Sequence, residues 1–259
     1  MATPRDTIPD LAGIDRPGGQ ALVDEVLASA PAGRWLGSDE AVRLLQSYGL
    51  PAPGAVVVRS ARQAAAAGRS LGYPVVAKVA DPDVVHKTDR GLVAVGIASG
   101  TDLTRTYRRF GVILDEPRPA VLVQRQVERG VELALGVVHD STFGPLVMVA
   151  GGVTTDVLDD RAFVLPPVTA KDARRAVAGL RMAPLLRGFR GAPAVDLAAV
   201  EDLLMLVGRL AADLPEIAEL DLNPVMATPT GVSCVDTKIR VQPYDRVDDF
   251  ARPAMRTPG

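Results

Sequence analysis

The stretch Ile217 to Arg240, IAELDLNPVMATPTGVSCVDTKIR, alternates apolar and polar residues on both sides of a four-residue turn candidate, TPTG. If Thr228 to Gly231 form that turn, paired positions sum to 459, which sets Asn223 opposite Asp236 and Asp221 opposite Lys238. All four then share one face, and Leu220, Leu222, Val235 and Ile239 fall on the other. A chain with such a hairpin must lay one sheet face on a core and leave the other for polar chemistry. A facing carboxylate and amide suit a magnesium ion that keeps waters and takes its other oxygens from substrate phosphates. The plainer alternative is a solvated hairpin with an ordinary Asp–Lys pair.

A second constraint lies upstream in PVVAKVADPDVVHKTDRGLVAV, where Lys78 interrupts an apolar, strand-like run. An ammonium among Val75, Val76, Val79 and Ala80 needs an anion or water at its tip, because burying it unpaired costs several kcal/mol. It either snorkels to solvent or serves as a compact point charge on a phosphate. His86 follows in a polar loop outside any apolar stripe. It reads as a surface histidine or, since imidazole is largely neutral near pH 7, as a base, ligand or phosphoryl acceptor. Lys87 beside it could steady phosphate oxygens. His139, before Asp140 at a strand end, reads as surface.

The chain has 259 residues, 47% hydrophobic and 23% charged, enough for a core divided between two lobes. With 29 basic and 31 acidic residues there is no general electrostatic case for nucleic acid or an anionic membrane. One cysteine, Cys234, excludes a disulfide framework and a multi-cysteine zinc site. No apolar run reaches the length of a membrane span, and MATPRDTIPD lacks the order of a signal peptide, so a cytoplasmic location is expected.

Residues 1–35 read as an arm or linker, rich in proline, glycine and aspartate, with one possible short helix, QALVDEVLASA. The spacing then predicts a helix capped by Ser38, a strand at AVVVRS, a helix from Ser60 to Leu71 stopped by Gly72, strands VVAKVA and VAVGIA, and a helix opened by Thr101. From Val121, the runs VLVQRQV, VELALGVVHD and PLVMVAGG come in close succession, as in an antiparallel sheet. Helices near 169–180 and 197–212 precede the final hairpin. The fold class is α+β in two lobes, 36–120 and 121–240, with a tail at 241–259. In GGVTTDVLDDRAF, Gly151 and Gly152 permit close approach to a ligand, with Asp156 following, although a tight hairpin without a ligand fits the spacing as well.

Taken together, YPVVAKVADPDVVHKTDRGLV, VLVQRQVERGVELALGVVHDSTFGPLVMVAGG, DRAFVLPP, LLRGFRGAPAVD and ELDLNPVMATPTGVSCVDTKI resemble, in this order, the ATP-grasp domain of ADP-forming acyl-CoA synthetases. These are relatives of succinyl-CoA synthetase that interconvert acyl-CoA, ADP and phosphate with free acid, CoA and ATP. The resemblance spans about residues 36 to 240 and implies an ATP-grasp fold with a nucleotide cleft between two lobes, an enzyme that is a ligase, and ATP/ADP and Mg2+ as cofactors. It makes Lys78 the nucleotide-phosphate lysine, His86 the phosphoryl-accepting histidine, and Asn223 and Asp236 the magnesium ligands. Gln124, Gln126 and Val127 fall in the hinge whose backbone binds adenine, and Glu132 where a ribose-side carboxylate is expected. Lys87, Gly91, Gly151, Gly152 and Asp156 complete the nucleotide-side set. The absence of a CoA-binding domain between residues 36 and 240 implies a CoA-ligase partner of alpha type and a hetero-oligomer.

Three positions depart from the family pattern. Leu92 follows Gly91 where a second glycine is usual, the glycine-rich turn before Val153 is one residue short with Asp156 in place of a glutamate, and Val164 stands where an arginine is usual. A nucleotide-binding module that has lost phosphoryl transfer is therefore a second reading. A stand-alone ATP-grasp ligase using an acyl phosphate, with no need of His86, is a third.

Overall fold

The computed structural model describes residues 11, 13–81, 84, 87–140, 143–152 and 159–244. Two antiparallel sheets carry the chain. The smaller has four strands, β2 (Ala55–Val58), β3 (Val75–Val79), β4 (Val93–Ile97) and β5 (Val121–Arg125), in the order β2-β5-β3-β4. Helices α3 (Ala61–Leu71) and α4 (Gly100–Leu114) close one of its faces. Ser60 opens α3 by accepting from the Gln63 N–H, and Gly72, at φ 81°, ends it in a conformation that side chains disfavour. Alternation does the rest. Val75, Ala77 and Val79 of β3 and Val121 and Val123 of β5 join Leu103 and Phe110 in a core. Lys78, Leu122 and Gln124 point the other way, toward the second lobe.

The Val121 run was expected to open the second sheet, and the structure corrects this. It pairs with β2 and β3 through Val123↔Val56 and Val123↔Ala77, so the smaller sheet extends to Arg125, beyond the 120/121 boundary. Short sequence separation from VELALGVVHD suggested the wrong partner, because β5 has apolar residues enough to be central in either sheet.

The larger sheet has seven strands. Its main path is β1 (Arg34–Trp35), β11 (Thr237–Val241), β9 (Ile217–Thr228), β6 (Val131–Asp140), β7 (Gly144–Ala150) and β8 (Arg161–Val164), with β10 (Gly231–Cys234) also on β9. One face is covered by α5 (Ala170–Gly179), α6 (Ala183–Leu186) and α7 (Leu197–Asp213), and by α1 (Arg16–Ser29) and α2 (Ser38–Ser47). Leu133, Leu135, Val147, Leu203, Leu204, Leu210 and Leu222 fill the shared core. Asp160, 3% exposed, braces this lobe by accepting the backbone N–H groups of Arg181 and Met182.

The region read as an arm is part of this body. α1 buries Leu22, Val23 and Val26 in the large core, and β1 pairs with β11 through Arg34↔Val241 and Trp35↔Arg240. Its proline and glycine content hid a helix that starts at a proline-containing first turn after Asp15. The cap of α2 is Gly37 and not Ser38. Glu40 accepts from the Gly37 N–H at 2.7 Å and from both guanidinium nitrogens of Arg34 at 2.7 Å. Likewise Ser99, two residues before Thr101, caps α4. Residues beyond β11 continue only to Tyr244 among those described.

The hairpin keeps its expected register. Gly231↔Thr228, Cys234↔Val225, Lys238↔Asp221 and Ile239↔Leu220 all sum to 459. The ladder is interrupted at Pro224, which has no N–H to donate. There, Asn223 N–H donates to the Asp236 carbonyl and Val235 N–H to the Pro224 carbonyl. The interruption moves one side chain from its expected face. Cys234, 1% exposed, sits in the core, and Val235 instead lines the space between the lobes.

The Arg34 pair, more than any other contact, holds Glu40 below its ordinary carboxylate pKa of 4.5. A lowered folded-state pKa contributes stability above the unfolded value that is lost as pH falls through the folded one. Glu40→Gln should therefore destabilise the chain at pH 7 in urea unfolding, and the gap to wild type should close as pH falls below about 4.5. A gap that does not narrow at all as pH falls below about 4.5 would exclude the ion pair as its source.

Candidate functional site

Lys78, the fourth residue of β3, leaves the smaller sheet and crosses to the final hairpin. Its Nζ lies 2.6 Å from Asp236 Oδ1 and 3.1 Å from the Val235 carbonyl oxygen. The lysine side chain is 14% exposed and the aspartate 45%. Neither alternative of the sequence reading, solvent or an external phosphate, describes this state, since the cation is paired inside the protein. Gln124, one strand over, donates from Nε2 to the same Val235 carbonyl at 3.1 Å. Three bonds from the small lobe thus converge on two residues of the hairpin.

Around this seam opens a cleft of about 560 Å3. Its lysines are Lys78, Lys87 and Lys238, its acids Glu219, Asp221 and Asp236, and Trp35, Val84 and Val93 supply apolar wall. A smaller cavity of about 80 Å3 adjoins it, lined by Ser38, Pro53, Gln124 and Val235 as well as by Lys78 and Lys87. Burial is the larger influence on two of these groups. It lowers the Lys87 ammonium from its ordinary 10.5, with Asp236 opposing and Lys78 and Lys238 adding to the fall. It raises the Asp221 carboxyl, against the pull of Lys238 and with help from Asp236 and Glu219.

Asn223 is exposed and lies opposite Asp236 across the interrupted ladder. No group of three or more His, Cys, Asp or Glu side chains able to hold a metal ion is present among the described residues. Two oxygens from Asp236 and Asn223 fit an ion that completes its shell from phosphates and water. At Asp236 a cationic ammonium already sits against the carboxylate, so this oxygen is open to positive charge.

Other sequence-predicted positions lie elsewhere. Gln126 accepts from the Gly96 N–H at 2.7 Å through Oε1, tying β4 to the strand exit. Glu132 is in β6 opposite Met226, and neither it nor Gln126, Val127, Gly91, Gly151 or Gly152 lines the 560 Å3 cleft. Gly152 has a packing role. A Cβ there would lie 2.5 Å from the Glu132 carbonyl oxygen. Gly91, at φ 67°, closes the turn after Lys87, where its N–H donates to Thr88 and that of Leu92 to the Lys87 carbonyl. His86 and Asp156 lie outside the described residues.

The side chains behind two departures avoid the cleft. Leu92 is fully buried in the small core. Val164 packs against the large one, opposite Val147 in β8. The sequence reading had put Asp221 and Lys238 on the polar face without assigning them, and the cleft contains both. It missed Trp35, since a two-residue strand leaves no periodicity to detect.

An ATP-grasp domain model matches residues 27–241. The beta subunit of acetate–CoA ligase [ADP-forming] I from Pyrococcus furiosus is 33% identical over 226 residues, covering 85% of this chain and 97% of that subunit. The chain belongs to the ATP-grasp family of ADP-forming acyl-CoA synthetases. Acetate–CoA ligase [ADP-forming] I from Archaeoglobus fulgidus is 35% identical over 87% of this chain, which spans only 33% of that longer protein. Among solved structures, the Ca. Korarchaeum cryptofilum dinucleotide forming acetyl-coenzyme A synthetase 1 with coenzyme A and Mg-AMPPCP aligns with a TM-score of 0.76 at 34% identity. The alignment covers 86% of this chain and all of that one. Its phosphohistidine segment points towards its nucleotide binding site. The ATP-grasp family accounts for the two-lobed α+β fold seen here.

Lys87 offers a check on the electrostatics of the cleft. Asp236→Asn removes the carboxylate that pulls the Lys87 pKa up, so more of the amine should be neutral at pH 8.5. Acetylation at Lys87, followed by mass spectrometry, should be faster in the variant than in wild type. An unchanged or slower rate would place Asp236 out of its electrostatic reach.

Proposed function

We propose that this chain is the ATP-grasp component of an ADP-forming acyl-CoA synthetase, passing a phosphoryl group between ATP or ADP and His86. The observation that carries the proposal is the meeting of Lys78 and Asp236, at 2.6 Å, from opposite lobes inside the cleft. One has the charge for a nucleotide phosphate and the other the charge for a cation, and both are poised at one place. The family supports the rest, since its relatives are ADP-forming acid–CoA ligases in separate-subunit and longer single-chain forms.

In this reading Lys78 gives up Asp236 for a phosphate oxygen, and Asp236 with Asn223 holds the magnesium ion, which neutralises phosphate charge when bound. Lys87 and Lys238 add positive charge at the cleft wall. Neutral His86 directs a ring-nitrogen lone pair at the γ-phosphorus. The N–P bond forms as the β,γ-bridging P–O bond breaks, its electrons leave with ADP, and the reverse step rebuilds ATP. Gln126, Val127 and Glu132 take the adenosine side, with Gly91, Gly151, Gly152 and Asp156 around the phosphates. An alpha-type CoA-binding partner, as a subunit or a further domain, exchanges the phosphoryl group of His86 with the acyl group. The cytoplasm suits a reaction of ATP and CoA. The core positions of Leu92 and Val164 favour this over the impaired-module reading, because those substitutions leave the cleft wall unaltered.

Two experiments test it. With γ-labelled ATP and Mg2+, wild type should take up acid-labile, base-stable label, and His86→Ala should lose it while binding ATP within about threefold of wild type. Label that survives in the variant would shift the acceptor to another residue or to the substrate and favour the acyl-phosphate ligase. In calorimetry, Asp236→Asn should weaken Mg2+–ADP binding about tenfold or more, with little change for ADP alone, since the carboxylate contacts the ion. Equal losses for both would remove Asp236 from the metal site.

A further inference from the structure

Gln124 is 5% exposed, yet only half of its amide is used. Nε2 donates across the lobes to the Val235 carbonyl, and Oε1 is sealed from solvent with no hydrogen-bond partner. An unpartnered buried acceptor is destabilising, and an apolar side chain at this position would avoid it. The bond the amide does make is the lobe-crossing one. It ends on the carbonyl that also receives Lys78, next to Asp236.

Resting on the nucleotide and metal reading above, we propose that Gln124 is a positioning residue for the metal site. It holds the Val235–Asp236 segment from the small lobe while Lys78 changes partner from Asp236 to a phosphate.

The geometry separates the two donors by what each can do next. Lys78 is a charge that a phosphate will attract, and when it leaves, Asp236 loses its ion pair and Val235 one of its two side-chain donors. Local strand pairing is thin at this point. Val235 and Asp236 fall between β10 and β11, where the ladder supplies only the two bonds around Pro224. An ion between Asp236 and Asn223 needs both oxygens held in place. A neutral amide can anchor the segment throughout, because it competes for neither the phosphate nor the cation. Its own position is secured by β5, whose Gln124 pairs with Val76 on one side and Ala55 on the other.

The test uses ADP binding to the full chain by calorimetry, with and without Mg2+. Wild type should bind ADP more tightly with Mg2+, and a wild type that does not would defeat the metal reading before any variant is considered. Gln124→Met keeps the length of the side chain and removes the donor. It should bind metal-free ADP within about twofold of wild type while the gain from Mg2+ falls about tenfold. Gln124→Asn, too short to reach Val235, should behave the same and replaces the methionine variant if that one proves insoluble. A gain from Mg2+ that is unchanged in these variants overturns the proposal. So does an equal loss of affinity with and without Mg2+, which would make Gln124 a general support of the cleft.

Discussion

The ion pair of Lys78 and Asp236 joins the two sheets at the point on which the proposed chemistry depends. Each partner alone would be a poor fit to its surroundings. Lys78 rises from a strand whose other face is sealed core, and Asp236 sits at a break in a hairpin, beside a second carboxylate that burial already disfavours. Together they neutralise one another with little exposure of the lysine. A pair with one partner nearly half exposed adds modestly to stability, because solvent screens much of its attraction. Its value is that either charge can be replaced by a ligand charge of the same sign. In the proposed function a phosphate would substitute for the aspartate and a divalent cation for the lysine, so the same two side chains would serve both the seam and the substrate.

That seam shows how far sequence reasoning reached. The hairpin was legible because its pairing is local: four turn residues set a sum, and the sum held on both sides of Pro224. Lys78 was legible as an anomaly, an ammonium in an apolar run. Its partner was out of reach, 158 residues away in the chain, where no periodicity connects them. β5 was assigned to the wrong sheet for the same reason, since its contacts with β2 and β3 skip helices and its nearest neighbour in sequence lies in the other lobe. Val235 left its expected face because a missing N–H at Pro224 resets the alternation, an effect that counting by twos cannot register.

Two of the three family departures show how a residue's place in the fold qualifies a comparison of letters. A leucine for a glycine and a valine for an arginine look like losses at a phosphate site when written as letters. In the fold both side chains turn into apolar cores, Leu92 under β3 and Val164 against β7. The direction of a side chain, set by strand parity, decides whether a substitution reaches the cleft.

The two-residue strand β1 has a consequence for how the molecule behaves in company. A seven-stranded sheet with a bare edge offers rows of unpaired N–H and C=O groups to any neighbouring chain. Here β1 covers the outer side of β11, its hold strengthened by the Leu36 N–H donating to the Ile239 carbonyl, and the opposite edge is the four-residue β8. A chain begun at Leu36 would keep the charged residues of the cleft, lose its Trp35 wall, and uncover the strand of Lys238, Ile239 and Arg240. Such a protein would gain a surface on which copies can add strand to strand. Arg34 and Trp35 thus serve the molecule as insulation against its own sheet.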